Sequence, residues 1–215
     1  MIEEEILNDC KKRFASHKAT LIQDTDRYMI FDWRKADGSI DHYVNYILDK
    51  KRGNLIISGD LGDCIATWYN PVKPNELRNY IKSIDYFMSK FQCSSNKFRY
   101  EYDDIFEDVK DRLEAYYDID SLMRIYENHY GYVSDEEDFW DSLKNEINER
   151  FYCFDEPPHY SDDLLGFLTD VDADCYEWLY DCGKRVDMRV YLWAVGYEMA
   201  YNQLEKQKDF EYDER

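Results

Sequence analysis

Asp60 and Asp63 stand three residues apart in the stretch Ser58-Gly59-Asp60-Leu61-Gly62-Asp63, where the two glycines permit the positive φ of a tight connection. Oxygen ligands so placed could hold a hard divalent cation at the edge of a sheet, the arrangement of a small metal-dependent enzyme. A turn uses Gly and Asp for its own geometry, however. Neither the spaced acids of an EF-hand loop nor the phosphate-binding GxxxxGK[ST] pattern is present. Cys10, Cys64, Cys93, Cys153, Cys175 and Cys182 form no CxxC pair, and His17, His42, His129 and His159 form no HxxxH pair, so zinc has no ligand set of the usual spacing. No GxSxG or other nucleophile motif accompanies the histidines. Carboxylates are so numerous that some pair must lie at a glycosidase-like distance by chance, so none can be singled out. The expectation is a non-enzymatic protein with no catalytic residue, metal or cofactor.

Charge is more informative than any motif. Glu101 to Asp181 holds 26 Asp plus Glu against 5 Lys plus Arg, a local net charge of −21, whereas residues 1–100 carry +2 and residues 182–215 carry −1. The whole chain's net charge of −20 thus comes from one segment. A concentrated negative field selects for a basic partner and against nucleic acid itself. Along one helix the excess amounts to one charge per roughly 6 Å, sparser than the roughly 3.4 Å phosphate spacing of a single strand. Two such helices side by side would approach nucleic-acid density. Tyr102, Tyr116, Tyr117, Tyr126, Tyr130 and Tyr132 lie among the acids, and tyrosine can stack on arginine while carboxylates take its hydrogen bonds. The partner-binding candidates are Asp103, Asp104, Glu107, Asp108, Asp111, Tyr116, Tyr117, Glu136, Glu137 and Asp138. The plainer reading is that the acids only keep an aromatic-rich protein soluble.

The chain has 215 residues, 44% of them hydrophobic, with 21 Tyr, 11 Phe and 5 Trp, which supplies a core and argues that the acidic segment is folded. The opening MIEEEILNDC carries acids where a secretory signal carries bases, and no apolar run approaches the roughly 20 residues of a membrane span. Scattered cysteines suit a reducing compartment, so free thiols and a cytoplasmic location are expected.

The elements that must position these residues follow from apolar spacing. Ile6, Leu7, Cys10 and Phe14 predict an opening helix. Leu21 to Gln23, Arg27 to Trp33, His42 to Leu48, Leu55 to Ile57 and Cys64 to Tyr69 predict an antiparallel meander, with the last of these its final strand. Pro71 and Pro74 end the sheet. Leu77, Tyr80, Ile81, Ile84, Phe87, Met88 and Phe91 then form a stripe that predicts one long helix, and QCSSNKFRY reads as a loop. Helices are expected at Ile105 to Tyr117, Leu122 to Tyr130, after a Ser134/Glu137 capping box through Phe151, near Asp162 to Leu168 and Asp172 to Tyr180, and around Met188, Leu192, Val195 and Met199. The fold class is α+β: an N-terminal helix plus antiparallel β-meander followed by an acidic all-helical region, divided as 1–73 and 74–215 or forming one continuous domain.

At Asn54 to Asn70, NLIISGDLGDCIATWYN, and at Gln92 to Tyr100, QCSSNKFRY, the first half of the chain resembles uncharacterised small acidic proteins of phages and mobile elements of Gram-positive bacteria. That resemblance implies an inhibitor of host defence, working in the bacterial cytoplasm in the manner of anti-CRISPR proteins. Its partner would be the basic nucleic-acid-binding surface of a host protein such as an RNA-guided nuclease. No functional residue transfers, because the group offers no catalytic motif. Two other classes stand beside this one: a metal-dependent enzyme using Asp60 and Asp63, and an accessory structural protein with no specific partner.

Overall fold

The computed structural model describes residues 2–148 and 156–213. Phe151 and Cys153, named above, lie outside them. The chain divides into two compact units, one of residues 1–97 with 187–215 and one of residues 98–186. The boundaries therefore fall at 97/98 and 186/187 rather than at residue 73, and the last helix belongs with the first strands.

The first unit opens with α1 (Ile2–Arg13), whose Lys11, Lys12 and Arg13 complement the helix dipole. Six strands follow in an antiparallel sheet of order β1 to β6: β1 (His17–Asp24), β2 (Tyr28–Lys35), β3 (Val44–Asp49), β4 (Asn54–Gly59), β5 (Cys64–Thr67) and β6 (Phe91–Ser94). Period-2 alternation puts Met29, Phe31, Trp33, Val44, Tyr46, Leu48, Leu55 and Ile57 on the buried face. α9 (Met188–Asp213) lies against that face and buries Val190, Trp193, Tyr197, Ala200 and Leu204. The approach is close because Gly196 has no side chain: a Cβ there would come within 2.5 Å of the Tyr46 hydroxyl. That hydroxyl donates to the Trp193 carbonyl at 2.8 Å, satisfying the one polar atom Tyr46 carries into the core.

The stripe from Leu77 to Phe91 does not form one helix. It breaks into α2 (Pro74–Tyr80) and α3 (Ile84–Met88), and Phe91 opens β6. Ser83 takes an extended conformation between them, and its carbonyl accepts the first helical bond of α3, so a residue type that favours helix starts interrupts the run. Leu77, Ile81, Ile84 and Phe87 are buried all the same. The sheet gains a sixth strand from beyond the prolines. Its exposed edge positions are Gln92, Cys93 and Ser94, whose polarity hides the strand from pattern reading.

The second unit is mostly helical: α4 (Tyr102–Tyr116), α5 (Ile119–Tyr130), α6 (Glu136–Asn148), α7 (Asp162–Val171) and α8 (Tyr176–Leu179). Two short strands, β7 (Phe98–Tyr100) and β8 (Lys184–Val186), pair antiparallel where the chain enters and leaves it, so the region is not all-helical. Its core joins Ile105, Val109 and Leu113 to Leu122, Tyr126, Phe139, Leu143, Leu164 and Phe167. α5 and α7 are further linked by His129 Nε2 and Asp170 Oδ2 at 2.9 Å. The five described cysteines other than Cys153 are free thiols, and among them only Cys93 is exposed.

Candidate functional site

Acid in the second unit is concentrated well beyond what its size requires: residues 98–186 carry 26 acids and 8 bases, a net −18, against 21 and 19 in the other unit. Part of this serves the helices themselves. Asp103 and Asp104, Asp120, Glu136 to Asp138, and Asp162 with Asp163 occupy first turns, where the dipole favours negative charge.

α4 sorts its acids into two rows. Asp103, Glu107, Asp111 and Glu114 are exposed and follow one another at spacings of four, four and three, which is one helix face. Asp104 and Asp108 form a second row, and the molecule itself occupies it. Arg185 Nε lies 2.8 Å from Asp104 Oδ2, while its Nη1 and Nη2 donate to the two Asp108 oxygens at 3.0 and 3.1 Å. The Gly183 N–H adds a fourth contact at 2.7 Å. Burial alone would raise the Asp108 pKa, but the Arg185 and Gly183 hydrogen bonds outweigh it and hold the carboxyl below its ordinary value. Asp104 and Asp108 therefore fasten β8 to α4, and of the α4 acids first singled out only Asp103, Glu107 and Asp111 face outward together. Glu114 joins them and was missed, although its helical spacing from Asp111 was visible in the sequence.

At the start of α6 the cap lies one residue later than the Ser134/Glu137 box. Asp135 Oδ1 accepts from the Asp138 N–H at 3.0 Å, and Asp138 Oδ2 accepts from the Ser134 N–H at 2.9 Å. Asp138 is thus a capping group. Glu136 Oε1 accepts from Trp140 Nε1 at 3.4 Å, and Glu137 is exposed.

The two helices pack side by side through Phe106 and Trp140, whose rings meet edge-on at 6.4 Å. Over this contact runs an open groove of about 470 Å³ lined by Phe106, Lys110, Glu136, Glu137, Trp140, Asp141 and Lys144. Lys110 Nζ sits 5.1 Å from the Trp140 ring and Lys144 Nζ 5.3 Å from the Phe106 ring, so the groove mixes signs where charge counting suggested acid alone.

The tyrosines divide in the same way. Tyr126 is buried and stacks on Tyr130 at 4.6 Å. Tyr116 is 66% exposed, and the Arg112 guanidinium lies 4.6 Å over its ring, the stacking expected of a partner arginine made within the chain. Tyr117 is half-buried, and burial followed by the charge of Asp172 raises its pKa. Tyr132, at 82% exposure, is the most open of the six.

Asp60 and Asp63 have local tasks. Asp60 Oδ2 accepts from the His42 N–H at 2.8 Å, and the Asp63 N–H donates to Ser95 Oγ at 3.0 Å. Asp60 borders an open cleft of about 400 Å³ with Arg13, Asp187 and Arg189, but Arg13 is paired with Asp9 and Arg189 with Asp187. Among the described residues, no group of three or more His, Cys, Asp or Glu is placed to hold a metal ion, and no helix is long and apolar enough to cross a membrane.

Comparison of the chain with protein-family models, curated proteins and solved structures finds no match. What the protein does has to be read from its own surface.

Proposed function

We propose that the unit of residues 98–186 is a docking surface for the basic nucleic-acid-binding face of another protein, and that the chain acts as a non-enzymatic, anti-CRISPR-like inhibitor by occupying that face. The observation that carries this reading is the net −18 confined to one folding unit. Solubility alone gives no reason for such segregation. Helix dipoles account for Asp103, but Glu107, Asp111 and Glu114 lie further along α4, and an acid near a helix C-terminus opposes the dipole. Carboxylates one turn apart recur at roughly 6 Å along an axis. With α6 beside α4, two acidic helices run together at a density nearer that of a phosphate backbone.

The test is capture with competition. The immobilised chain is exposed to a lysate of Gram-positive bacteria, with and without added DNA or RNA. Nucleic-acid-binding proteins are expected on the wild type, displaced by nucleic acid, and several-fold depleted on an Asp103→Asn, Glu107→Gln, Asp111→Asn variant. Capture indifferent to both nucleic acid and these substitutions would contradict the reading.

A further inference from the structure

An antiparallel sheet with one face on a core normally turns polar residues to the other side. This sheet departs from that along one line. Its register sets Ile30 opposite Ile47, Ile47 opposite Ile56, Ile56 opposite Ile65, and Ile65 opposite Cys93, so β2 to β6 each contribute one residue to a single row across the outer face. Ile56 and Ile65 are each 37% exposed, and Ile30 and Ile47 are half-buried. Ile22, at the irregularity in β1 beside Ile30, is 56% exposed and extends the row. Polar groups flank it. Asp32, Asn45 and Ser58 lie on one side, with Asp32 accepting from Tyr43 Oη and Asn45 Nδ2 at 2.8 Å each, and Tyr28, Asn54 and Thr67 lie on the other. An apolar centre with a satisfied polar margin is the composition of an interface.

We infer that this row is a self-association face, on which a second copy of the chain packs sheet to sheet. The row is complementary to itself: a two-fold axis lying in the contact plane, along the row or across its midpoint, lays isoleucine on isoleucine. No deep pocket or single anchor marks it for a partner of different shape. Six strands about 4.8 Å apart and roughly 20 Å long give a footprint of about 500 Å² per copy. The pair would bury about 1,000 Å², near the lower limit for a specific interface, so the dimer is weak and reversible. Each copy carries −20, which opposes the approach, and added salt screens that repulsion. Self-association through isoleucine therefore strengthens with salt, whereas docking of a basic partner through the acids weakens. The inference does not rest on the proposed function, and the sign of the salt effect separates the two.

Sedimentation velocity of the full chain, over a concentration series in about 0.05 M and about 0.5 M NaCl, tests it. Wild type is expected to pass from monomer to dimer, at lower concentration in the higher salt. An Ile56→Thr, Ile65→Thr double variant keeps β-branching and is expected to remain monomeric at concentrations about ten-fold higher. Ile65→Lys serves as a second variant: it lowers the net negative charge, so its loss of the dimer cannot come from repulsion. A monomeric wild type under all conditions, or a dimer unchanged in a folded variant, would overturn the inference.

Discussion

Asp104 and Asp108 sit one turn apart on α4, and Arg185 reaches both from β8. They differ in consequence, though not in type, from Asp103, Glu107 and Asp111 on the exposed row. Replacing Asp108 with Ala strands an arginine and a backbone N–H, at an expected cost of about 1–2 kcal/mol given that these groups are partly solvated. Asp103→Asn, Glu107→Gln and Asp111→Asn should each stay within about 0.5 kcal/mol of wild type. The pH dependence has a definite sign. The folded Asp108 pKa lies below its unfolded value of about 3.9, so the stability it contributes is present above that pH and is lost as pH falls through the folded pKa. Urea titrations should show a constant gap between wild type and Asp108→Ala from about pH 5 to 8, closing below about pH 4. Residue types told which side chains could bear charge at the surface. They could not tell which were engaged, because the engaging arginine lies 77 residues away from Asp108.

Elements with a strong apolar period were legible. Phe139, Trp140, Leu143 and Ile147 mark α6, and Met29, Phe31 and Trp33 mark β2, because each buries one face and the period records it. Elements defined by a partner were not. β6 exists because the edge of β5 accepts it, and β8 because β7 does, and neither carries an apolar alternation of its own. The turn before β8 depends on Gly183, at φ +69°, where a Cβ would lie 2.2 Å from Ile105 Cγ1 and 2.8 Å from the Glu101 carbonyl oxygen. Gly183→Ala should therefore cost roughly 3 kcal/mol or more, combining backbone strain with overlap. Gly131 has φ +100° but open space around it, and Gly131→Ala should cost only about 1 kcal/mol. Thermal denaturation of the two variants checks the ordering. Equal losses would mean that the packing around Gly183 is not as described.

At the scale of the molecule, the charge boundary and the fold boundary nearly coincide. The acidic stretch from Glu101 to Asp181 falls within the unit of residues 98–186, which adds only Arg99, Lys184 and Arg185 among charged residues. That coincidence was half visible: the stretch stands out by composition, but the return of the final helix to the first sheet is a long-range contact that no local pattern encodes. The most direct test of the acidic unit as a docking surface is the association rate of a captured partner across a salt series. Wild type, the Asp103/Glu107/Asp111 variant and an Asp60→Asn, Asp63→Asn variant would be compared. Raising salt from about 0.1 M to about 1 M shortens the Debye length from about 10 Å to about 3 Å, so wild-type association should slow steeply. The acid-row variant should start slower and respond less, and the Asp60/Asp63 variant should match wild type. Association independent of salt, with loss of activity confined to the Asp60/Asp63 variant, would contradict the account and leave a metal-dependent enzyme in its place.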